Sequence, residues 1–236
     1  MIYAISDIHG CYDLYTELLN KINFSDSDRL YILGDSMDRG AEPIKVMLDI
    51  MSRKNITYIM GNHEYMALRL FTKLADYSRD NILKILAFEG LKDYLWWRDN
   101  GGDITLIQYM RLDIDTRLRI MEYIQKASKF EIVDTASTKY ILAHAGIENI
   151  ISITSISELN ELPVESFIFE RPDYSKKIFK KEFNLKLVVG HTPTLLINNK
   201  SKIYKTDDYL VIDCGAVFGG CLSAFCLDSG EKFYVD

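Results

Sequence analysis

The chain has 236 residues, of which 48% are hydrophobic and 26% charged, with a net charge of −6. Such a composition supports a large buried core and argues against disorder. The acidic balance argues against a broad phosphate-neutralising surface, so nucleic acid is not expected as a partner, and any anionic ligand has to be attracted locally.

The chain opens on an apolar run, Ile2 to Ile5, that reads as a first strand and not as a signal peptide. It leads into Ser6-Asp7-Ile8-His9-Gly10. Leu14, Leu18, Leu19 and Ile22 then recur at helical spacing. Leu30 to Leu33 is a second apolar run and leads into Gly34-Asp35-Ser36-Met37-Asp38-Arg39-Gly40. A second helical pattern follows at Ile44, Met47, Leu48 and Met51. Ile56 to Met60 leads into Gly61-Asn62-His63-Glu64. Strand, polar turn, helix, strand predicts a βαβαβ core and an α/β fold, with a sheet flanked by helices.

Residues from about 64 to 129 read as mainly helical, broken at Gly90 and Asn100-Gly101-Gly102. Tyr140 to Ala143 and Leu185 to Val189 are two further strand-like runs, leading into His144-Ala145-Gly146 and Gly190-His191-Thr192-Pro193. Tyr209 to Cys214, Leu222 to Leu227 and Lys232 to Val235 read as an antiparallel sheet region. With four prolines and no Ser/Gly/Pro-rich linker, a single domain over residues 1–236 is expected. No apolar stretch approaches the roughly 20 residues that span a bilayer, so no membrane partner is expected. Cys11, Cys214, Cys221 and Cys226 lack paired zinc spacing and read as small buried residues, reduced in a cytoplasm.

Open α/β sheets bind ligands beyond the carboxyl ends of their strands, and the five polar clusters fall there. The chain has four histidines, His9, His63, His144 and His191. Each follows a predicted strand directly or within a few residues, whereas chance would scatter some onto helices and surface loops. Asp7 and His9, two residues apart on an extended chain, point the same way and suit one metal ion together. Asp35 offers two carboxylate oxygens for bridging. Asn62 offers a neutral amide oxygen, while the adjacent His63 points differently and is free to act as an acid. Glu64 reads as structural, at the start of a helix whose dipole favours a carboxylate. From the residues alone, Asp38 is also a candidate cap for the helix near Glu42-Pro43.

Asp7-x-His9, Gly34-Asp35-x-x-Asp38-Arg39-Gly40 and Gly61-Asn62-His63-Glu64, with His144 and His191 in later blocks, resemble the signature of the phosphoprotein phosphatase superfamily of calcineurin-like metallophosphoesterases. The pattern is most similar to bacterial and phage serine/threonine protein phosphatases of the lambda type. Asn100-Gly101-Gly102 and Asp213 to Gly220 echo that branch. The resemblance implies a central β-sandwich flanked by helices and two divalent metal ions, Mn²⁺ by expectation, with Fe, Zn, Co or Ni also compatible. It implies that Asp7, His9 and His191 hold one ion with Asp35, and that Asn62 and His144 hold the other with Asp35 shared. His63 would be the proton donor, oriented by Asp38, whose charge is expected to raise the imidazole pKa. Arg39 would bind substrate phosphate. Arg171, in Phe169-Glu170-Arg171 where the family has Trp-x-Arg, would be the second phosphate-binding arginine.

The implied activity is phosphomonoester hydrolysis by a water that the two metals activate, on a phosphorylated protein or a small phosphorylated substrate. A bis(5'-nucleosyl)-tetraphosphatase shares the same blocks and is the rival. A non-catalytic scaffold is disfavoured because the full ligand set is present. Trp96-Trp97 reads as one core and one interface residue. The basic stretch from Arg171 to Lys186 reads as a solvated face.

Overall fold

Strand β1 (Ile2–Ile5) runs through the middle of a five-stranded sheet, and its last three residues are buried. This computed structural model describes residues 1–74, 90–147, 150, 155–179 and 185–236. Strands β2 (Arg29–Ile32) and β3 (Ile56–Tyr58) lie parallel to β1 and in sequence order beside it, joined by α1 (Tyr12–Lys21) and α2 (Pro43–Ser52). The helical spacing has the expected result: Leu18, Leu19 and Ile22, and Ile44 and Met47, are buried against the sheet.

A second five-stranded sheet contains β4 (Phe130–Asp134), β5 (Lys139–Ala143), β6 (Leu185–Val189), β7 (Tyr204–Lys205) and β8 (Tyr209–Val211), in the order β4-β5-β6-β8-β7. Alternation along the strands decides how the sheets pack. Ala4, Tyr31 and Leu33 from the first sheet share one buried cluster with Tyr140, Leu142, Val188 and Leu210 from the second. Their neighbours Ile5, Leu30, Ile32, Ile141, Leu187 and Val189 face the opposite way, into the cluster that holds the helix residues. The result is a β-sandwich with helices on its outer faces, as the family resemblance implies.

The segment after β3 is helical where described: α3 (Asn62–Leu74), α4 (Leu91–Asp99), α5 (Asp103–Tyr109) and α6 (Ile114–Gln125). Residues 75–89 of the expected helical stretch, and Lys180, Lys181 and Glu182 of the basic stretch, lie outside the described residues. Short helices α7 (Ile156–Glu161) and α8 (Thr194–Asn198) follow.

The C-terminal expectation needs correction. Strand β9 (Leu222–Cys226) pairs antiparallel with both β10 (Lys232–Val235) and β1, in the first sheet. Strand β8 belongs to the second sheet, parallel to β6. The turn between them carries the chain from one sheet to the other, using left-handed conformations at Gly215 and Gly219 that suit residues without a Cβ. Among the described residues, no helix is long and apolar enough to cross a membrane. All four cysteines are free; three are buried, while Cys11 is half-buried.

Candidate active site

The carboxyl ends of β1, β2 and β3 from one sheet meet those of β5 and β6 from the other, and the polar clusters converge there. The Oδ2 atom of Asp35 is the hub. It lies 3.6 Å from His9 Nε2, 3.8 Å from His63 Nε2 and 3.5 Å from His144 Nε2. All four side chains are shielded from solvent. Two groups have the spacing of metal ligands: His9, Asp35 and His63; and Asp35, His144 and His191. Asp35 belongs to both.

The backbone at these positions is strained. Asp7, His9, Asp35, Asp38, Arg39 and His191 have φ of 52°, 45°, 52°, 70°, 63° and 64°. Elsewhere among the described residues only Asn23 and Asn199 are non-glycine residues with positive φ. Such conformations cost on the order of 1–3 kcal/mol each and persist only where surrounding structure imposes them. Asp7 and His9 therefore do not share an extended strand end, as their i, i+2 spacing suggests. Each is turned toward the cleft by its own left-handed residue, and the turn is tied down by His9 N–H donating to Asp35 O at 2.9 Å and Asp7 N–H to Gly34 O at 3.2 Å. Close approach also demands glycines: a Cβ at Gly190 would collide with the Asp7 carboxylate, and one at Gly61 with that of Asp35.

The hydrogen bonds fix which ring nitrogens are free. His9 Nδ1 donates to Met37 O at 2.8 Å, and His144 Nδ1 donates to Leu33 O at 2.7 Å. A carbonyl only accepts, so these Nδ1 atoms carry the protons. Burial, the largest effect in each case, lowers the pKa of His9 well below its ordinary value and those of His144 and His191 to about 3 and about 2. The rings are neutral, and the Nε2 lone pairs of His9 and His144 point inward. His144 Nε2 then faces Asn62 Oδ1 at 2.9 Å with no proton to share, while His191 Nδ1, at 3.2 Å, carries its own ring's proton toward it. Burial, then neighbouring carboxylates, pushes Asp7 and Asp35 well above the usual carboxylate range. Converging lone pairs and closely grouped buried carboxylates are what a divalent metal relieves, so these residues fit the implied ions.

His191 sits beside His144, in one group with it and Asp35, because β6 is the neighbour of β5 within the second sheet. It remains tied to Asp7 through its backbone N–H, which donates to the carboxylate at 3.0 Å.

His63 opens α3. Its Nδ1 lies 2.6 Å from Asp38 Oδ2. Asp38 does not cap α2, whose first residues have no side-chain cap. Its carboxylate instead accepts from Thr105 Oγ1 at 2.6 Å and from the indole N–H of Trp97 at 2.6 Å. The expected upward pKa shift of His63 is reversed: burial first, and then the Arg39 guanidinium, lower it well below its ordinary value. Asp38 cannot supply a full opposing charge, since burial pushes it up to about 7.

Both candidate arginines reach the cleft. Arg39 forks across it, with Nη1 2.6 Å from His9 Nε2 and Nη2 2.8 Å from His63 Nε2. Arg171 donates from Nε to His191 Nε2 at 3.1 Å. The Asn100-Gly101-Gly102 echo now has a physical role: Gly101 O accepts the Arg39 backbone N–H at 3.1 Å, and a Cβ at Gly102 would strike the Trp97 ring.

Sequence reasoning missed Trp97, Thr105 and the exposed Phe218, whose ring lies 5.2 Å from the Arg39 guanidinium carbon. It also missed Asp213, a buried carboxylate beside Asp7 that accepts from Gly215 N–H at 2.8 Å. Glu64 is structural as expected, by a different device: its fully buried carboxylate accepts backbone N–H groups from Asp35, Ser36 and Met37 at 2.7, 3.0 and 3.3 Å.

The comparisons with known proteins agree with this geometry. The chain is 27% identical to serine/threonine-protein phosphatase 2 of Salmonella typhimurium over 227 residues, covering 95% of this chain and 91% of that one. It is 35% identical to a symmetrical bis(5'-nucleosyl)-tetraphosphatase of Buchnera aphidicola over 148 residues, which is 60% of this chain and half the length of that relative. A solved serine/threonine phosphatase from Saccharomyces cerevisiae shares the fold, with a TM-score of 0.57 at 15% identity over the whole of this chain and 80% of that one. The calcineurin-like phosphoesterase profile matches residues 1–220, and the chain belongs to that family of metallophosphoesterases.

Proposed function

We propose that the chain is a protein serine/threonine phosphatase, a single metallophosphoesterase domain over residues 1–236 that hydrolyses phosphomonoesters. The observation that carries the reading is the Arg39 fork, which spans His9 Nε2 and His63 Nε2 directly beside the Asp35 hub. A planar guanidinium presents paired N–H donors that match two phosphate oxygens.

Asp7, His9 and Asp35 would hold one divalent ion, and Asn62, His144 and His191 the other, with Asp35 shared; Mn²⁺ is the expected ion. When bound, the pair would activate a water and neutralise charge on the transferring phosphoryl group. Arg39 and Arg171 bind the phosphate oxygens and orient phosphorus in the cleft. In its doubly protonated form, reached once Arg39 turns from His63 Nε2 onto the phosphate, His63 gives a proton from Nε2 to the departing alkoxide, while Asp38 accepts from Nδ1–H and holds the ring at a fixed angle. Trp97 and Thr105 in turn hold Asp38. The acceptor is water, so solvent oxygen enters phosphate within a single turnover and no phosphorylated residue accumulates.

The near full-length alignment to a serine/threonine phosphatase supports the monoester substrate. The higher identity to the Buchnera tetraphosphatase, over a shorter stretch, keeps a dinucleoside polyphosphate as the second reading. Turnover on a phosphoserine peptide and on diadenosine tetraphosphate, compared with Mn²⁺ present, separates the two. Preference for the peptide is expected, and a large preference for the dinucleotide overturns the first reading.

A further inference from the structure

Three aromatic side chains meet at the protein surface beside the site: Tyr65, Trp96 and Phe169. Trp96 and Phe169 are 38% and 37% exposed, whereas neighbouring Trp97 is fully buried. The expectation of one core and one interface residue in the Trp96-Trp97 pair is therefore met for burial, and Trp96 is left facing outward. The ring centroids of Tyr65 lie 6.4 Å from Trp96 and 6.1 Å from Phe169, and those of Trp96 and Phe169 lie 6.1 Å apart.

Each ring is carried by a segment that also carries a site residue. Tyr65 follows His63 by two positions on α3. Phe169 precedes Arg171 by two. Trp96 adjoins Trp97, whose indole N–H holds Asp38. The patch is thus built on the same segments that carry His63, Arg171 and the support of Asp38.

We propose that this patch is the peptide-docking edge of the site, taking a large apolar side chain next to the phosphorylated residue of a protein substrate; the inference rests on the phosphatase reading above. Charge at the patch favours that occupant. Tyr65 O–H donates to the Glu165 carboxylate at 2.5 Å. Among the described residues, the cation lying over the Trp96 ring is Arg69, at 6.0 Å, and it is paired with Asp93 at 2.8 Å. A polyphosphate chain carrying a base onto these rings would bring more negative charge toward Glu165, whereas a neutral side chain meets no such penalty. Ring geometry points the same way. Tyr65 stands edge-on to the other two rings, at 78° and 87°, and Trp96 and Phe169 are tilted by 33°. This forms a shallow apolar saddle without the parallel walls that sandwich a base.

The test uses two phosphoserine peptides that differ only in Phe or Ala beside the phosphoserine, with the Mn²⁺-loaded enzyme. The readout is the ratio of their kcat/KM values for the wild type and for W96A, F169A and W96F. p-Nitrophenyl phosphate turnover reports whether each variant keeps a working site. The wild type is expected to prefer the Phe peptide about tenfold, in KM rather than kcat. W96A and F169A are expected to bring the ratio close to unity, and W96F to restore most of it. Turnover of both peptides without discrimination, or a ratio that W96A and F169A leave unchanged, overturns the docking edge alone. A KM for diadenosine tetraphosphate that rises in W96A while the peptide ratio holds assigns the patch to a nucleobase and also overturns it. Absence of turnover on every phosphomonoester, p-nitrophenyl phosphate included, overturns the phosphatase reading and the docking edge with it.

Discussion

His63 Nδ1 and Asp38 Oδ2 lie 2.6 Å apart with both side chains fully shielded from solvent. The carboxylate of Asp38 also holds Trp97 and Thr105, so the imidazole is fixed from behind by a chain of buried hydrogen bonds. His63→Asn is expected to lower kcat by about 10²–10³-fold, the range for loss of a positioned acid. Metal content, measured by elemental analysis, is expected to remain near two ions per chain. His63 also lies close to His9 and Asp35, so a variant that loses metal would show it to be a ligand and not the acid.

Glu64 offers a second test, since it ties the loop bearing Asp35 to the start of α3 through three backbone N–H groups. In Glu64→Gln an amide NH₂ replaces one acceptor oxygen and confronts a buried backbone donor. Leaving one such donor unsatisfied costs about 1–3 kcal/mol. Thermal unfolding is expected at a lower Tm, and Mn²⁺ affinity to fall because Asp35 rides on the same loop. Unchanged Tm and affinity would contradict the anchoring role.

How much of the fold and site is legible in the sequence depends on where the information lies along the chain. Asp7, His9, Asp35, Asn62 and His63 occur in short blocks at the ends of apolar runs, so strand ends and ligand types are read together. Asp38's other partners lie 59 and 67 residues away, on α4 and α5, and no local pattern joins them. The division of ligands between two ions escapes a local pattern for the same reason. It depends on β6 lying beside β5, which brings His191 to His144 across 47 residues. The left-handed backbone at Asp7 and His9 is likewise invisible in a strand-end pattern, because it is imposed by hydrogen bonds to the neighbouring β2 loop.

The division of ligands proposed above makes a prediction of its own. With Asn62, His144 and His191 around one ion and Asp7 and His9 around the other, His144→Ala and His191→Ala should each reduce metal content from two toward about one ion per chain. The double variant of both should lose no more than either alone, whereas His9→Ala combined with His191→Ala should lose both ions. Metal content and isothermal titration with Mn²⁺ check this. Additive loss in the His144/His191 pair would return His191 to the ion held by His9.

Away from the site, Asp93 joins α4 to α3 by accepting from Arg69 at 2.8 Å and Lys73 at 2.7 Å. Burial alone would raise its pKa, but the hydrogen bonds from Lys73 and Arg69 prevail and hold it below the usual carboxylate range. The sign of the linkage follows. A carboxylate whose folded pKa is depressed contributes stability that is fully present above its unfolded pKa, about 3.9, and is lost as pH falls through the folded value. Arg69 is nearly half exposed and Lys73 a third exposed, so solvent screening keeps the contribution to about 1 kcal/mol. Asp93→Asn is therefore expected to lower stability by about that amount at pH 7, with the deficit shrinking below about pH 4 as the carboxylate becomes protonated first in the unfolded chain and then in the folded one. Denaturant unfolding at both pH values reads this directly. A deficit that stayed constant down to about pH 3 would mean that Asp93 acts through packing and not through its charge. Since α4 also carries Trp96 and Trp97, a loosened α3–α4 junction should also appear as lower turnover at neutral pH, smaller than the loss in His63→Asn.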